Sequence, residues 1–145
     1  MLLDREGLLR AFRALDEELG RDKIRADVFV VGGAAMAMAY DTRRSTSDVD
    51  AVFVPTIEVR AAARRVAERL DLDADWLNDG AKAFVPGDDP DQSNVFEGEY
   101  LQVAAASPRF LLAMKLLAAR VERDQDDIRE LYRRERSHRP TLSWR

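Results

Sequence analysis

The stretch VFVVGGAAMAMAYDTRRSTSDVDAVFV, from Val28 to Val54, decides the fold of this chain. It reads as a β-strand, a Gly-Gly turn, a short helix, a polar loop and a second strand. The second strand carries Asp48 and Asp50, with Val49 between them. Because side chains alternate across a strand, both carboxylates project to one face, roughly 6–7 Å apart at the backbone. They can therefore converge on one hard cation such as Mg²⁺, which would relieve their mutual repulsion.

The Gly-Gly turn ahead of this acidic pair predicts an anion site. Gly32 and Gly33 follow an apolar strand and open the helix that holds Met36 and Tyr40. Glycine lets a phosphate approach the backbone, and a helix N-terminus offers free N–H groups and a favourable dipole. An anion site and a cation site joined by one short helix would together hold a metal-bound nucleoside triphosphate.

Composition excludes several other classes of protein. A chain of 145 residues is large enough for one domain with a buried core. No apolar run approaches the ~20 residues that span a bilayer, and no signal peptide opens the chain, so we expect a cytoplasmic protein without membrane contacts. The absence of cysteine and the single histidine, His138, exclude disulfides, thiolate zinc sites and histidine-rich metal centres. A net charge of −4 argues against non-specific coating of nucleic acid but leaves room for a local basic patch.

Periodicity and turn residues predict a chain of helices and strands, and hence an α+β (α/β) fold. We expect one domain over residues 1–145, with a core over about 22–106, C-terminal helices over about 107–136 and a loose tail over 137–145. The predicted elements are a helix over the first twenty residues, a strand over 26–31 buried on both sides, a helix capped by Thr56, a hairpin over 95–105, a helix capped by Ser107 and a last helix beginning at Asp124. Trp76 is expected in the core, and the arginines of the helix after Thr56 on a solvated face.

The motif itself resembles a known superfamily. A GG turn followed by the loop RRSTSDVD is similar to the first motif of the DNA polymerase β-like nucleotidyltransferases. The Gly-Gly form, with Arg and Thr before the DxD, looks most like the AbiEii/MenT-like nucleotidyltransferases of bacterial (type IV) toxin–antitoxin systems, and it is also similar to the lincosamide nucleotidyltransferases. The better-known minimal nucleotidyltransferases carry Gly-Ser where this chain has Gly33. The resemblance implies a polymerase β-like fold, in which helices flank a small mixed β-sheet. It also implies Mg²⁺ as cofactor and a nucleoside triphosphate, ATP among the candidates, as substrate.

The resemblance also implies roles for further residues. Asp48 and Asp50 would hold Mg²⁺, while Arg44 and Lys115 would contact the triphosphate. Ser45, Thr46 and Ser47 would either bind phosphate or order the loop. The lysine lies in the helix LLAMKLLAAR, where periodicity alone would explain it as a residue bordering a buried stripe.

Downstream of the lysine, the segment RDQDD is similar to an RDxxD segment of the same proteins. Asp127 would then have a polar or base role. The alternative is that Asp124 caps a helix and Asp127 occupies its third position.

One expected group has no obvious counterpart. Polymerase β-like enzymes usually add a third carboxylate from a neighbouring strand, and the matching position in YLQVAAAS holds Gln102. Glu97 and Glu99 have the opposite strand parity unless Gly98 forms a bulge. Recruitment of one of these glutamates, substitution by Asp127 and firm binding of a single metal all remain open.

These features predict transfer of NMP from an NTP to an acceptor hydroxyl, on a tRNA 3′ end or a protein, by the toxin of a toxin–antitoxin pair with a cognate antitoxin. One alternative is an antibiotic nucleotidyltransferase of the lincosamide or aminoglycoside kind. The other is a catalytically inactive nucleotide-binding or antitoxin-like relative. The sequence leaves open the acceptor, the nucleotide and the oligomeric state.

Overall fold

A computed structural model describes residues 2–41 and 43–138. Its centre is a five-stranded mixed sheet with the strand order β3-β2-β1-β5-β4. The strands are β1 (Ala26–Val30), β2 (Val49–Val54), β3 (Leu77–Asn78), β4 (Ser93–Glu97) and β5 (Leu101–Ala105). β1 pairs antiparallel with β2 and parallel with β5, while β4 and β5 form a hairpin. The predicted α+β class with a small mixed sheet is confirmed.

The helices flank this sheet. They are α1 (Arg5–Arg21), α2 (Gly32–Ala35), α3 (Thr56–Leu70) and α4 (Pro108–His138), with a π-helical turn at Met36–Tyr40 and a 3₁₀ turn at Lys82–Phe84. α1 and α3 pack together on one face of the sheet, where the periodic apolar residues of α1, Leu8, Phe12, Leu15 and Leu19, are buried. Among the residues described, no helix has the length and apolar content needed to cross a membrane.

Trp76 lies in the core as predicted, with its Nε1 donating to the Ala63 carbonyl over 2.8 Å. The arginines of α3 differ from the prediction in part. Arg65 and Arg69 both bind the carboxylate of Glu18, which is almost completely buried between α1 and α3. A buried charge requires such partners, so these two arginines join helices instead of only facing solvent.

Two other local predictions were wrong. β1 is not buried on both sides, because Asp27 is exposed and Phe29 is half-buried. Thr56 does not cap α3, since its hydroxyl donates to the Phe53 carbonyl behind it. The sequence had left open a bulge at Gly98, and the hairpin instead has its bulge between Asn94 and Phe96.

The largest difference concerns the C-terminal part. The helix behind Ser107 begins as predicted, with the Phe110 N–H donating to the Ser107 hydroxyl. It then continues without interruption to His138, so no second helix begins at Asp124. Leu117 and Val121, which continue the four- and three-residue spacing of the buried Phe110 and Met114, are only half-buried. The predicted tail is helical over 137–138, and its remainder, 139–145, lies outside the described residues.

Candidate active site

A pocket of about 420 Å³ opens beside the Gly-Gly turn. It lies between the end of β1, the loop before β2, the 3₁₀ turn and the first turns of α4. Five residues singled out from the sequence line it, namely Gly32, Gly33, Arg44, Asp50 and Lys115. The rest of the lining is mainly apolar and includes Met36, Phe84, Leu111 and Met114. Residues more than eighty positions apart in the chain are thus brought to one cavity.

The two aspartates face away from the core. Val49 between them is fully buried, whereas Asp50 is half-buried and Asp48, just before β2, is exposed. Burial, and next the negative charge of Asp48, raise the pKa of Asp50 above its ordinary value of 3.8. Within the described chain, no lysine or arginine forms an ion pair with either carboxylate. Asp48 does not line the pocket, and its negative charge acts on Asp50 from beside it.

Asn78 is a site residue that the sequence did not reveal. β3 pairs parallel with β2, which places Asn78 directly beside Asp50. Its amide hydrogen-bonds the Asp50 carboxylate and acts to lower the pKa of that group, against the two effects that raise it. Only the pairing of β2 with β3 identifies this neighbour, because the two residues are distant in sequence.

The Gly-Gly turn lets neighbouring side chains come close to the backbone. Gly32 has φ +61°, a left-handed conformation that favours glycine. The position a Cβ would take on Gly32 is 3.6 Å from Oδ2 of Asp50. For Gly33 the corresponding position is 3.5 Å from the Thr46 hydroxyl and 3.7 Å from Nη2 of Arg44. The turn therefore lies beside both the acidic and the basic side of the pocket.

The loop before β2 is held by Thr46. Its backbone exchanges two hydrogen bonds with Leu3, at 2.7 and 2.9 Å, and its hydroxyl donates to the Asp48 carbonyl over 2.9 Å. Ser45 and Ser47 are exposed and do not line the pocket. Thr46 therefore orders the loop, which is one of the two roles that the sequence left open, while phosphate binding by these three residues stays a prediction.

The start of α4 is held by a second group that was not predicted. Asp89 is buried and accepts from the Ser107 N–H at 2.6 Å, the Ser107 hydroxyl at 2.9 Å and the Asp91 N–H at 3.1 Å. Tyr40 adds a hydrogen bond of 2.7 Å to the Ala106 carbonyl. These contacts position the helix that brings Lys115 to the pocket.

Asp127 is not brought to this site. It lies on the exposed part of α4, twelve residues beyond Lys115 and hence about 18 Å further along the helix axis. Asp124 is equally exposed and lies inside the helix, where it caps nothing.

Gln102 does not occupy the place of a third carboxylate. It shares a sheet face with Asp50, but it pairs with Asp27 and Glu97 at the far end of β5, about four residues or 13 Å from the level of Asp50. The bulge in β4 puts Glu97 on this face too, at the same far end. No cluster of three histidine, cysteine, aspartate or glutamate side chains suited to a metal occurs in the described part of the chain.

The arrangement of a Gly-Gly turn, an acidic strand and a lysine-bearing helix around one pocket agrees with a nucleotidyltransferase motif. The chain belongs to the family described as nucleotidyltransferase of unknown function (DUF6036), whose model matches residues 6–136. No curated protein and no solved structure matches the chain.

Proposed function

We propose that this protein transfers NMP from a nucleoside triphosphate to an acceptor hydroxyl, with Mg²⁺ as cofactor. The observation that carries the proposal is that one pocket is lined by Gly32, Gly33, Arg44, Asp50 and Lys115. It joins backbone groups suited to phosphate, two side-chain cations and a carboxylate, next to an apolar wall that can hold a base.

The acidic pair fits a divalent cation. Two close carboxylates without a cationic partner among the described residues repel each other, and the raised pKa of Asp50 reflects this repulsion together with burial. Mg²⁺ is typically bound by one or two carboxylates plus substrate phosphates and water. Asp48 and Asp50 would therefore hold it, and a bound Mg²⁺ would supply charge neutralisation at the phosphates.

The protein's own residues would then position the substrates. The N–H groups at the Gly32–Gly33 turn would receive phosphate oxygens, while Arg44 and Lys115 would balance the remaining negative charge. The acceptor oxygen would attack the α-phosphorus in line, and the bond from that phosphorus to the pyrophosphate oxygen would break. The acceptor proton would leave to solvent or to an aspartate of the pair.

For the acceptor, we propose a tRNA 3′ end or a protein hydroxyl, modified by the toxin of a toxin–antitoxin pair. The support for this narrower role is the Gly-Gly, Arg-Thr, DxD form of the motif, which resembles AbiEii/MenT-like toxins.

One observation favours a second candidate, a relative that binds nucleotide without transferring it. In the part of the chain that the structure describes, Asp48 and Asp50 have no third carboxylate beside them. Such a protein would bind Mg²⁺–NTP through the same pocket and release it unchanged.

Transfer can be tested with each α-³²P-labelled NTP, Mg²⁺ and one of three acceptors: total tRNA, cell-lysate protein or an aminoglycoside and lincosamide mixture. We expect label on tRNA or protein, and no label with Asp48→Ala or Asp50→Ala. Label on the drug mixture alone would assign the antibiotic-modifying alternative. Nucleotide binding without label on any acceptor would favour the inactive relative.

A further inference from the structure

The C-terminal part of α4 extends beyond the body of the protein. Met114 is the last buried residue of this helix. The twenty residues 119–138 continue for about 30 Å. Residues 119–137 are all exposed except Val121 and Glu130, which are half-buried.

The extension carries an uncovered apolar stripe, formed by Ile128, Leu131 and Tyr132. Asp124 separates this stripe from the half-buried Leu117 and Val121, because it takes the next position in the four- and three-residue spacing that begins at Phe110 and Met114. Ile128 and Leu131 are each 66% exposed and Tyr132 is 63% exposed. Three large apolar side chains next to one another in water indicate a surface that binds a partner.

Charge along the same segment is divided into two equal blocks of opposite sign. Residues 120–127, the acidic block, contain two arginines against Glu122, Asp124, Asp126 and Asp127, a net charge of −2. Residues 129–136, the basic block, contain four arginines against Glu130 and Glu135, a net charge of +2. The helix dipole would favour the basic block near the C-terminus, but it gives no reason for acidic residues in the middle of the helix.

We propose that this stripe binds the same stripe of a second copy of the chain, with the two α4 helices antiparallel. Antiparallel pairing about a two-fold axis near Ile128 brings the two stripes together and places each acidic block beside the basic block of the other copy, whereas parallel pairing would place like charges together. The interface is isologous, so one patch serves both protomers. A polyanion fits less well, because the blocks sum to zero net charge and the acidic block would repel it.

Lys115 and the pocket lie on a different side of α4 from the stripe. At 100° per residue, Lys115 is roughly 140° around the helix from Ile128. The second copy therefore covers the stripe without covering the pocket.

Sedimentation velocity over a range of protein concentrations tests the dimer. We expect a concentration-dependent dimer for the wild type and a monomer for Ile128→Glu. Leu116→Glu is the matched control, since Leu116 is 62% exposed on the same helix but roughly 120° away from Ile128, and it should dimerise as the wild type does. Circular dichroism should show equal helix content in all three. A monomeric wild type, or an Ile128→Glu dimer, would overturn the proposal.

A pair of charge variants tests the arrangement. Asp126→Arg/Asp127→Arg makes both blocks +2, and Arg133→Glu/Arg134→Glu makes both −2. Each variant alone should be monomeric at low salt, while their mixture should form a heterodimer. Because the chain has no cysteine, Ser137→Cys adds a single thiol. In an antiparallel pair the two thiols lie at opposite ends, so oxidation should not cross-link the dimer. Homodimers of the charge variants, or efficient Ser137→Cys cross-linking, would contradict the antiparallel pair.

Discussion

Asp50 shows at the scale of one residue how a functional group can oppose stability. Its carboxylate is half-buried, lies beside Gly32 and feels the charge of Asp48. A fold selected only for stability would place a neutral or paired side chain here. The proposed cation would offset this cost by binding at the carboxylate.

Asp50→Asn should therefore raise stability at neutral pH. The folded chain holds the Asp50 proton more tightly than the unfolded chain does, so stability is lost as the pH rises from 3.8 through the raised pKa. The substitution removes this loss, and we expect a melting temperature higher at pH 7 by no more than roughly 2–4 °C. The gain should shrink as the pH falls toward 3.8. Asp75→Asn, at an exposed position, is the control and should show neither effect.

NMP transfer by Asp50→Asn should fall at least ~100-fold, the usual effect of removing one group that stabilises transition-state charge. A lower melting temperature at pH 7 would show that Asp50 stabilises the fold instead.

Gly32 and Gly33 should respond differently to alanine. Gly32→Ala forces a Cβ into a left-handed conformation, which costs about 1–2 kcal/mol. Gly33→Ala meets its nearest neighbour, the Thr46 hydroxyl, at an ordinary contact distance of 3.5 Å and should leave stability unchanged or slightly higher. Urea unfolding of both variants measures the difference. Equal losses would mean that the left-handed turn is not what requires glycine.

At the scale of elements, the pocket depends on how α4 is attached. The first turn of α4 is fixed by Asp89, which lies in the loop between the 3₁₀ turn and β4 and accepts three hydrogen bonds. Pro108, Leu111 and Lys115 of this helix line the pocket, so a polar loop residue controls a wall of the site.

Asp89→Asn should cost about 1–3 kcal/mol, because an amide cannot accept all three bonds and leaves a buried donor unsatisfied. It should also weaken nucleotide binding through displacement of α4. Asp88→Asn, one residue earlier and exposed, should behave as the wild type does. Chemical denaturation and nucleotide titration of the two variants give the comparison, and loss of stability in both would implicate the loop as a whole.

At the scale of the whole molecule, the pocket unites a turn, a loop and a helix from both halves of the chain. A ligand that bridges them should stabilise the whole fold. Mg²⁺–NTP at 100 times its Kd should add about 2.7 kcal/mol, which corresponds to a melting temperature higher by roughly 5–10 °C.

Lys115→Ala should reduce this ligand-induced shift without changing the melting temperature of the free protein, since Lys115 is exposed. Arg123→Ala, an exposed cation two turns further along α4, should keep the full shift. Differential scanning fluorimetry with and without Mg²⁺ measures both. Equal shifts in the two variants would remove Lys115 from the nucleotide site.

By itself, the sequence determined the features that depend on neighbours in the chain. The periodicities of 3.6 and 2.0 residues predicted α1, α3, β1, β2, β5 and the outward direction of Asp48 and Asp50, and Gly32 marked the turn. Such patterns involve only a few neighbouring residues, so they can be recognised without knowledge of the fold.

Only the tertiary structure decided which distant residues meet. The pairing of β2 with β3 brought Asn78 to Asp50, the hydrogen bonds of Asp89 fixed α4, and the register of β5 carried Gln102 away from the acidic pair. The sequence could not predict that α4 is unbroken. Asp124 is a residue type that caps helices, and the sequence does not show whether a helix begins at it or continues through it. Strand register and helix continuity depend on long-range packing, which no local pattern of residues contains.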